Sequence, residues 1–406
     1  MKIGILTYAY VPNFGANLQA LSTYHYLKNN GHTPILILWE PIGLHEKFAK
    51  QKSEQTFAHF SFVKESMETT AICRTDGEIK KEIHRNGIEA VIIGSDAVLQ
   101  HHPLISRIHF PCKKIIYIEE NTEERLYPNA FWGTFNDEKI PMVLMSASSQ
   151  NSEYYWIHGQ KRRLMSASLR QFKYISVRDT WTQKMVRYIT HGQIIPNITP
   201  DPVFCFNVNA GQLVPKKETI LEKFHLPENY CLVSFRTPEL VDSLWIHGLK
   251  EEAKQKGLEC VALPMPGGVQ FRHDFNHEIK TPLSPIDWYA LIKYSNGYIG
   301  ENMHPVIVAL HNNVPVYSFD TYGITRFYKL YCNQKSSKIH NILGRFGLEH
   351  TNYVCASRRF NKRPTAESIV SAIHEFDYEK ARNVAQNLQK EYQAMMRDIL
   401  RRLDNK

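Results

Sequence analysis

Three residues stand where an α/β protein could do chemistry on an anion. His304 falls in the first turn of a helix predicted over MHPVIVALHN, immediately after the short apolar run NGYIG. Arg178 follows the run YISV and Arg236 follows CLVSF, so both arginines leave the carboxyl ends of expected strands. A guanidinium fork matches a carboxylate or a phosphate bidentately, and a helix N-terminus adds backbone donors for the same anion. The helix dipole disfavours imidazolium, so His304 without a ligand is expected to be neutral near pH 7 and to charge when an anion binds. It would then be a general acid, a role on the order of a hundred- to ten-thousand-fold in rate. Each residue also has a plainer reading: a histidine that caps or packs, and arginines in internal salt bridges.

Other strand ends offer turns. PNFGANLQ places Asn13 and Gly15 at a helix start, and IIGSDAVLQ places Gly94, Ser95 and Asp96 at another. Singly each reads as a turn; two such turns on one sheet edge make an acceptor pocket. Thr180 and Gln183 have capping-box spacing after Arg178, while Thr237 and Pro238 read as the cap and first residue of a helix after Arg236.

The elements behind these residues alternate. IGILTY, a helix over GANLQALSTYHYLKNN stopped by Gly31, and TPILILW form a βαβ unit, and further strands are expected at AVIIG, KIIYI, PMVLMS and YISV. The pattern breaks into proline, asparagine and glycine between Phe206 and Asn229, then restarts with NYCLVSFR. The expected organisation is a first Rossmann-like domain over 1–206, a second over 229–376, and an amphipathic helical segment over 377–406 that packs on its own chain.

Composition narrows the classes. A chain of 406 residues exceeds what one core usually serves, and 43% hydrophobic residues suffice for two. The seven cysteines are dispersed without a C-x-x-C pair, which speaks against a disulfide framework or a structural zinc site and for a reducing cytoplasm. The opening MKIGILTYAY reads as a strand, and no apolar run has the length of a membrane span. A net charge of +9 implies acidic partners, yet no nucleic-acid-binding signature is present. The cluster RRFNKR, Arg358 to Arg363, reads first as solvated charge and second as attraction to a membrane surface. P-loop, G-x-G-x-x-G, G-x-S-x-G, H-E-x-x-H and D-x-D motifs are all missing, and FRHDFNHE reads as a polar loop, so no metal and no cofactor is expected.

Taken in order, ILTYAYVPNFGANLQALSTYHYLKNNGH, AVIIGSDAVLQ, YISVRDTWTQKMV, TPDPVF and SPIDWYALIKYSNGYIGENMHPVIVALHNNVPVYSFD resemble the polysaccharide pyruvyl transferase family over nearly the whole chain. The resemblance implies a GT-B-like architecture, two Rossmann-like domains around a cleft, and transfer of a pyruvyl group from phosphoenolpyruvate to a sugar of a bacterial surface glycan or a lipid-linked precursor. It implies His304 as the acid, with Arg236 and Arg178 holding the anion beside Glu301, Asn302 and Met303. Asn302 stands where the family carries arginine or serine. Either another cation, Lys335 or Lys338, compensates, or the donor differs. A nucleotide-sugar glycosyltransferase, with Glu301 meeting a ribose hydroxyl, and a non-catalytic glycan-binding relative are the competing readings. The expected location is the cytoplasm, with room for peripheral contact at the inner membrane face.

Overall fold

A computed structural model describes residues 1–50, 53–109, 117–137, 140–237, 239–327 and 329–404. The chain builds two six-stranded parallel sheets in succession. The first holds β1 (Lys2–Leu6), β2 (Thr33–Leu36), β3 (Ala90–Ile93), β4 (Met142–Ala147), β5 (Tyr174–Val177) and β6 (Asn197–Ile198), in the order β2-β1-β3-β4-β5-β6. The second holds β7 (Tyr230–Ser234), β8 (Glu259–Ala262), β9 (His277–Glu278), β10 (Gly297–Gly300), β11 (Val316–Asp320) and β14 (Tyr353–Cys355), in the order β9-β8-β7-β10-β11-β14. Between β11 and β14 the chain makes an antiparallel hairpin of β12 (Ile324–Arg326) and β13 (Tyr331–Asn333). Helices cover the sheets, so central strands such as AVII and YCLVS are buried at every position. That is why they read as unbroken apolar runs instead of alternating ones.

One buried cluster runs across both halves of the chain, and each half also packs a cluster of its own. Helix α1 (Phe14–Asn29) runs from the end of β1 and packs Phe14 flat on Trp288 of α4 (Pro285–Lys293), with ring centroids 5.0 Å apart. His59 bonds Asn17 at 2.6 Å and the Pro266 carbonyl oxygen at 2.9 Å, joining the first half to a loop of the second. The final helix α7 (Tyr378–Asp404) buries Ala381, Ala385, Leu388, Tyr392, Met395, Met396, Ile399 and Leu403. These recur at three- and four-residue intervals and make one stripe. Met395 meets Ser146 and Ser176 of the first half, while Glu391 pairs with Arg345 of the second at 2.8 Å.

Several local expectations change. Helix α2 (Thr180–Ile189) is capped by Asp179, which accepts the Thr182 N–H at 2.7 Å; Gln183 instead donates to the Pro196 carbonyl oxygen. Helix α3 (Ser243–Gln255) begins at an Asp242 cap, later than Thr237 suggested, because Thr237 is engaged elsewhere; Pro238 lies outside the described residues. The run KIIYI falls largely outside them too. Its end, Tyr117–Ile118, pairs antiparallel with Ile108–His109 and joins neither large sheet.

Candidate active site

The carboxyl ends of the two sheets border a cleft of about 800 Å³ lined by both halves of the chain. Strand β10 ends in Gly300, whose backbone passes so close to β7 that an added Cβ would lie 2.5 Å from the Ser234 carbonyl oxygen. The chain turns through extended Asn302 into α5 (Met303–His311), with Pro305 in the first turn where its missing N–H has no partner to lose. Met303 and His304 therefore open the helix at the cleft wall.

His304 reaches across to the other half. Its ring lies on the first turn of α1, where a Cβ at Gly15 would fall 1.9 Å from the imidazole Cγ. Gly15 is thus the space His304 occupies, a role that the turn-forming reading of this glycine did not contain. The ring is buried, and its Nε2 has no hydrogen-bond partner among the described residues. Burial pulls its pKa down to about 4, against the opposing pull of Asp96 and Asp201. Desolvation is the dominant cause, and it favours the neutral imidazole, the same direction as the helix dipole.

The two arginines part ways. Arg178 is buried, bonds Asp201 at 2.7 Å and approaches Asp96 at 3.6 Å, and does not line the cleft. It is engaged with these two carboxylates, the internal salt bridge that was the plainer reading of this arginine, while its Nε and Nη2 have no hydrogen-bond partner among the described residues. Asp96 does line the cleft. Burial works against charging Asp96, but Arg178, His304 and Lys338 outweigh it and keep its carboxyl below the ordinary range. Arg236 is exposed at the cleft wall, and its guanidinium has no partner among the described residues.

Glu301 explains why the Arg236 side chain is free. One carboxylate oxygen accepts the backbone N–H groups of Arg236 and Thr237, and the other accepts the Thr237 hydroxyl at 2.8 Å. Glu301 is buried and absent from the cleft wall, so it clamps the Arg236 turn instead of facing a donor. Asn302 lines the cleft with its amide directed at the Met265 sulfur, 3.4 Å away, and its carbonyl oxygen accepts from Tyr322.

Of the two lysines considered beside Asn302, Lys338 is the one on the cleft wall. It opens helix α6 (Lys338–Phe346), which Ser337 caps, and lies over the Tyr322 ring at 4.7 Å on the cleft wall. It forms no ion pair among the described residues; burial lowers its pKa to about 8, with Asp96 opposing. Lys335, the other option, is exposed and does not line the cleft. On the first half, Asn13 and Gly15 line the cleft, with Asn13 capping α1 through the Ala16 N–H. Gly94 and Ser95 are not among the lining residues; the Ser95 hydroxyl bonds the Ser146 carbonyl oxygen, in keeping with the turn reading of this pair. Gln100, at the end of IIGSDAVLQ, and Gln150, Asn151 and Tyr322, outside every quoted motif, add polar side chains to a wall that also holds Lys47, Glu119, Glu124 and Arg125. In FRHDFNHE, Asp274 bonds His247 at 2.7 Å and His273 meets Glu278 at 3.4 Å. No cluster suited to a metal occurs among the described residues.

A family model described as polysaccharide pyruvyl transferase matches residues 13–322, well over half of the chain. The chain belongs to the polysaccharide pyruvyl transferase family. A search of the curated proteins finds no match. Among solved structures, this family member is similar to the UDP-GlcNAc 2-epimerase from Neisseria meningitidis bound to UDP-GlcNAc, at TM-score 0.53 and 10% identity over 99% of this chain and 100% of that one. It is similar to the UDP-N-acetylglucosamine 2-epimerase from Rickettsia bellii at TM-score 0.52 and 12% identity, over 99% and 96%. Phytolacca americana UGT2 complexed with UDP-2fluoro-glucose and pterostilbene gives 0.51 and 11%, covering both chains fully. These likenesses establish the GT-B fold of this family member. None of its described helices is long and apolar enough to cross a membrane.

Proposed function

We propose that the protein is a transferase that moves a pyruvyl group from phosphoenolpyruvate to a sugar of a bacterial surface glycan or its lipid-linked precursor, acting in the cytoplasm. The observation that carries this reading is the pair of uncommitted cations, Arg236 and Lys338, lining one cleft with the start of α5 and His304. A donor bearing both a carboxylate and a phosphate satisfies two cations and a helix N-terminus together.

In this reaction His304, charged once the dianion is bound, gives its proton to the vinyl carbon C3, leaving an oxocarbenium-like centre at C2. A sugar hydroxyl forms the new C–O bond there, and its proton passes to solvent or to Asp96. The C2–O bond to phosphate then breaks with its electron pair, and a neighbouring hydroxyl closes the ketal at C2, its proton returning to His304. The acceptor lies against Asn13, Gly15 and Asp96, with the amides of Gln100, Gln150 and Asn151 as partners for its hydroxyls.

The nucleotide-sugar reading has the fold in its favour, since the Neisseria relative is described with UDP-GlcNAc. It needs Glu301 for a ribose, however, and that carboxylate is closed around the 236–237 turn. The non-catalytic reading leaves the partnerless His304 without a role. The test is phosphate release from phosphoenolpyruvate with a panel of glycan acceptors, alongside thermal shifts with phosphoenolpyruvate and with UDP-sugars. Stabilisation by phosphoenolpyruvate and a loss of roughly a hundred- to ten-thousand-fold in His304→Ala are expected. Stabilisation by a UDP-sugar alone, or full activity in the variant, would overturn the assignment.

A further inference from the structure

The basic cluster Arg358 to Arg363 has no part in the cleft, and the fold gives it company. The backbone N–H of Arg359 donates to the Lys329 carbonyl oxygen at 2.9 Å, tying this loop to the turn between β12 and β13. Both loops end in large side chains directed at solvent: Phe327 is 74% exposed and Phe360 76%, with Leu330 and Tyr331 about half exposed beside them. Lys329, Arg358 and Lys362 are exposed around these tips, and Arg359 lies over the Phe360 ring at 5.5 Å. Neither segment 321–340 nor segment 356–363 contains an aspartate or glutamate.

We propose that these two tips form a docking surface for an anionic phospholipid bilayer. Aromatic and leucine side chains on protruding turns, ringed by lysine and arginine, match a membrane interface, where rings lie at headgroup depth and cations meet phosphates. The apolar side chains at the tips are solvent-exposed, and Phe327 takes a left-handed backbone with φ 51°; an exposed apolar point suits a deformable lipid surface. Charge complementarity decides the occupant: Lys329, Arg358, Arg359 and Lys362 surround the tips, while Arg363 at the edge of the cluster is taken by Asp242 at 2.8 Å.

The surface is mechanically joined to the active cleft. Thr321 and Tyr322, which line it, lead into β12, and Lys338, which also lines it, follows β13. Arg326 of β12 reaches the first half, bonding Glu153 at 2.6 Å and Tyr155 at 3.0 Å. Docking through these turns would bring the cleft mouth to the bilayer, where a lipid-linked acceptor is presented. The proposal concerns adsorption and stands whatever the donor is.

The experiment is co-sedimentation of the full chain with vesicles of phosphatidylcholine alone and with an added phosphatidylglycerol fraction, at low and physiological salt. Binding that requires phosphatidylglycerol and weakens with salt is expected. Phe360→Ser with Leu330→Ser, and separately Arg358→Glu with Lys362→Glu, should each weaken it by roughly tenfold or more at an unchanged melting temperature. Phosphate release with a soluble acceptor should stay at the wild-type rate in both variants, which separates this surface from the cleft. Equal binding to both vesicle types, or wild-type binding by both variants, would overturn the proposal. So would tighter binding of a single-stranded oligonucleotide that survives loss of Phe360 and Leu330, since the surface would then serve a polyanion.

Discussion

Arg178 and Arg236 each leave the carboxyl end of a parallel strand, one in each half of the chain, and their surroundings give them opposite jobs. Around Arg178 the first half places Asp201 and Asp96 within 4 Å, and the guanidinium is buried among its own partners. Around Arg236 the second half places Glu301, which takes backbone N–H groups and leaves the guanidinium exposed. One strand end is electrostatically closed and the other open. A ligand site thus requires an uncommitted charge beyond a cation of the right type, and here a buried carboxylate creates that state by holding the backbone.

The comparison is broken most severely at its closed end. Arg178→Met leaves Asp201 and Asp96 buried without their counter-charge, a change that costs about 3–5 kcal/mol. Arg236→Met, which exposes nothing and breaks no ion pair, should leave stability within about 0.5 kcal/mol of wild type. Urea denaturation of the two variants measures the contrast. Equal stabilities would mean that the ion pairs in the floor carry no weight.

In the cleft a single methyl group should be enough for a large effect. Gly15→Ala places a Cβ inside the space of the His304 ring, so the ring must move. Misplacement of a reacting group by about 1 Å is enough for a loss of roughly a hundredfold. Turnover should fall by that order while phosphoenolpyruvate still stabilises the protein against heat. A fully active alanine variant would show that His304 acts from somewhere else.

Arg236→Met has its own functional consequence. Losing one charge-assisted contact to the donor, about 1.5–3 kcal/mol, should raise the KM for phosphoenolpyruvate by roughly tenfold or more, with the acceptor KM unchanged. Steady-state kinetics with each substrate varied in turn gives the answer. An effect confined to the acceptor would put Arg236 on the wrong side of the cleft.

The strand ends themselves were legible in the sequence, because buried parallel strands and capped helices are written in short local patterns. So was His304 at the start of α5. The difference between the arginines was not, because it depends on contacts far along the chain. Arg236 and Glu301 are 65 residues apart. Arg178 lies 23 residues from Asp201, on the far side of α2 and β6. Gly15 looked like a turn because nothing local reveals a histidine from the other half lying on it. Lys338 was visible only as one of two lysines, and the wall position that distinguishes it from Lys335 comes from the Ser337 cap that fixes where α6 begins. The delayed start of α3 has the same origin: Thr237 has capping chemistry, but Glu301 takes both its N–H and its hydroxyl.

Lys338 gives the smallest and most discriminating effect, because its two pH dependences have opposite signs. Its pKa is lowered from 10.5 to about 8 in the folded chain. Between those values the unfolded chain binds the extra proton, so this group adds to stability as pH rises from 8 towards 10.5. Donor binding needs the charged ammonium, so the KM for phosphoenolpyruvate should climb over the same range. Lys338→Met should remove both trends, leaving a donor KM that is high and flat where wild type is low and rising. Thermal melts and kinetics on one pH series read the two signs together. If wild-type KM stays flat through pH 8 to 10 while Lys338→Met retains normal donor affinity, then Lys338 has no part in holding the donor, and the contrast with the closed strand end rests on Arg236 without it.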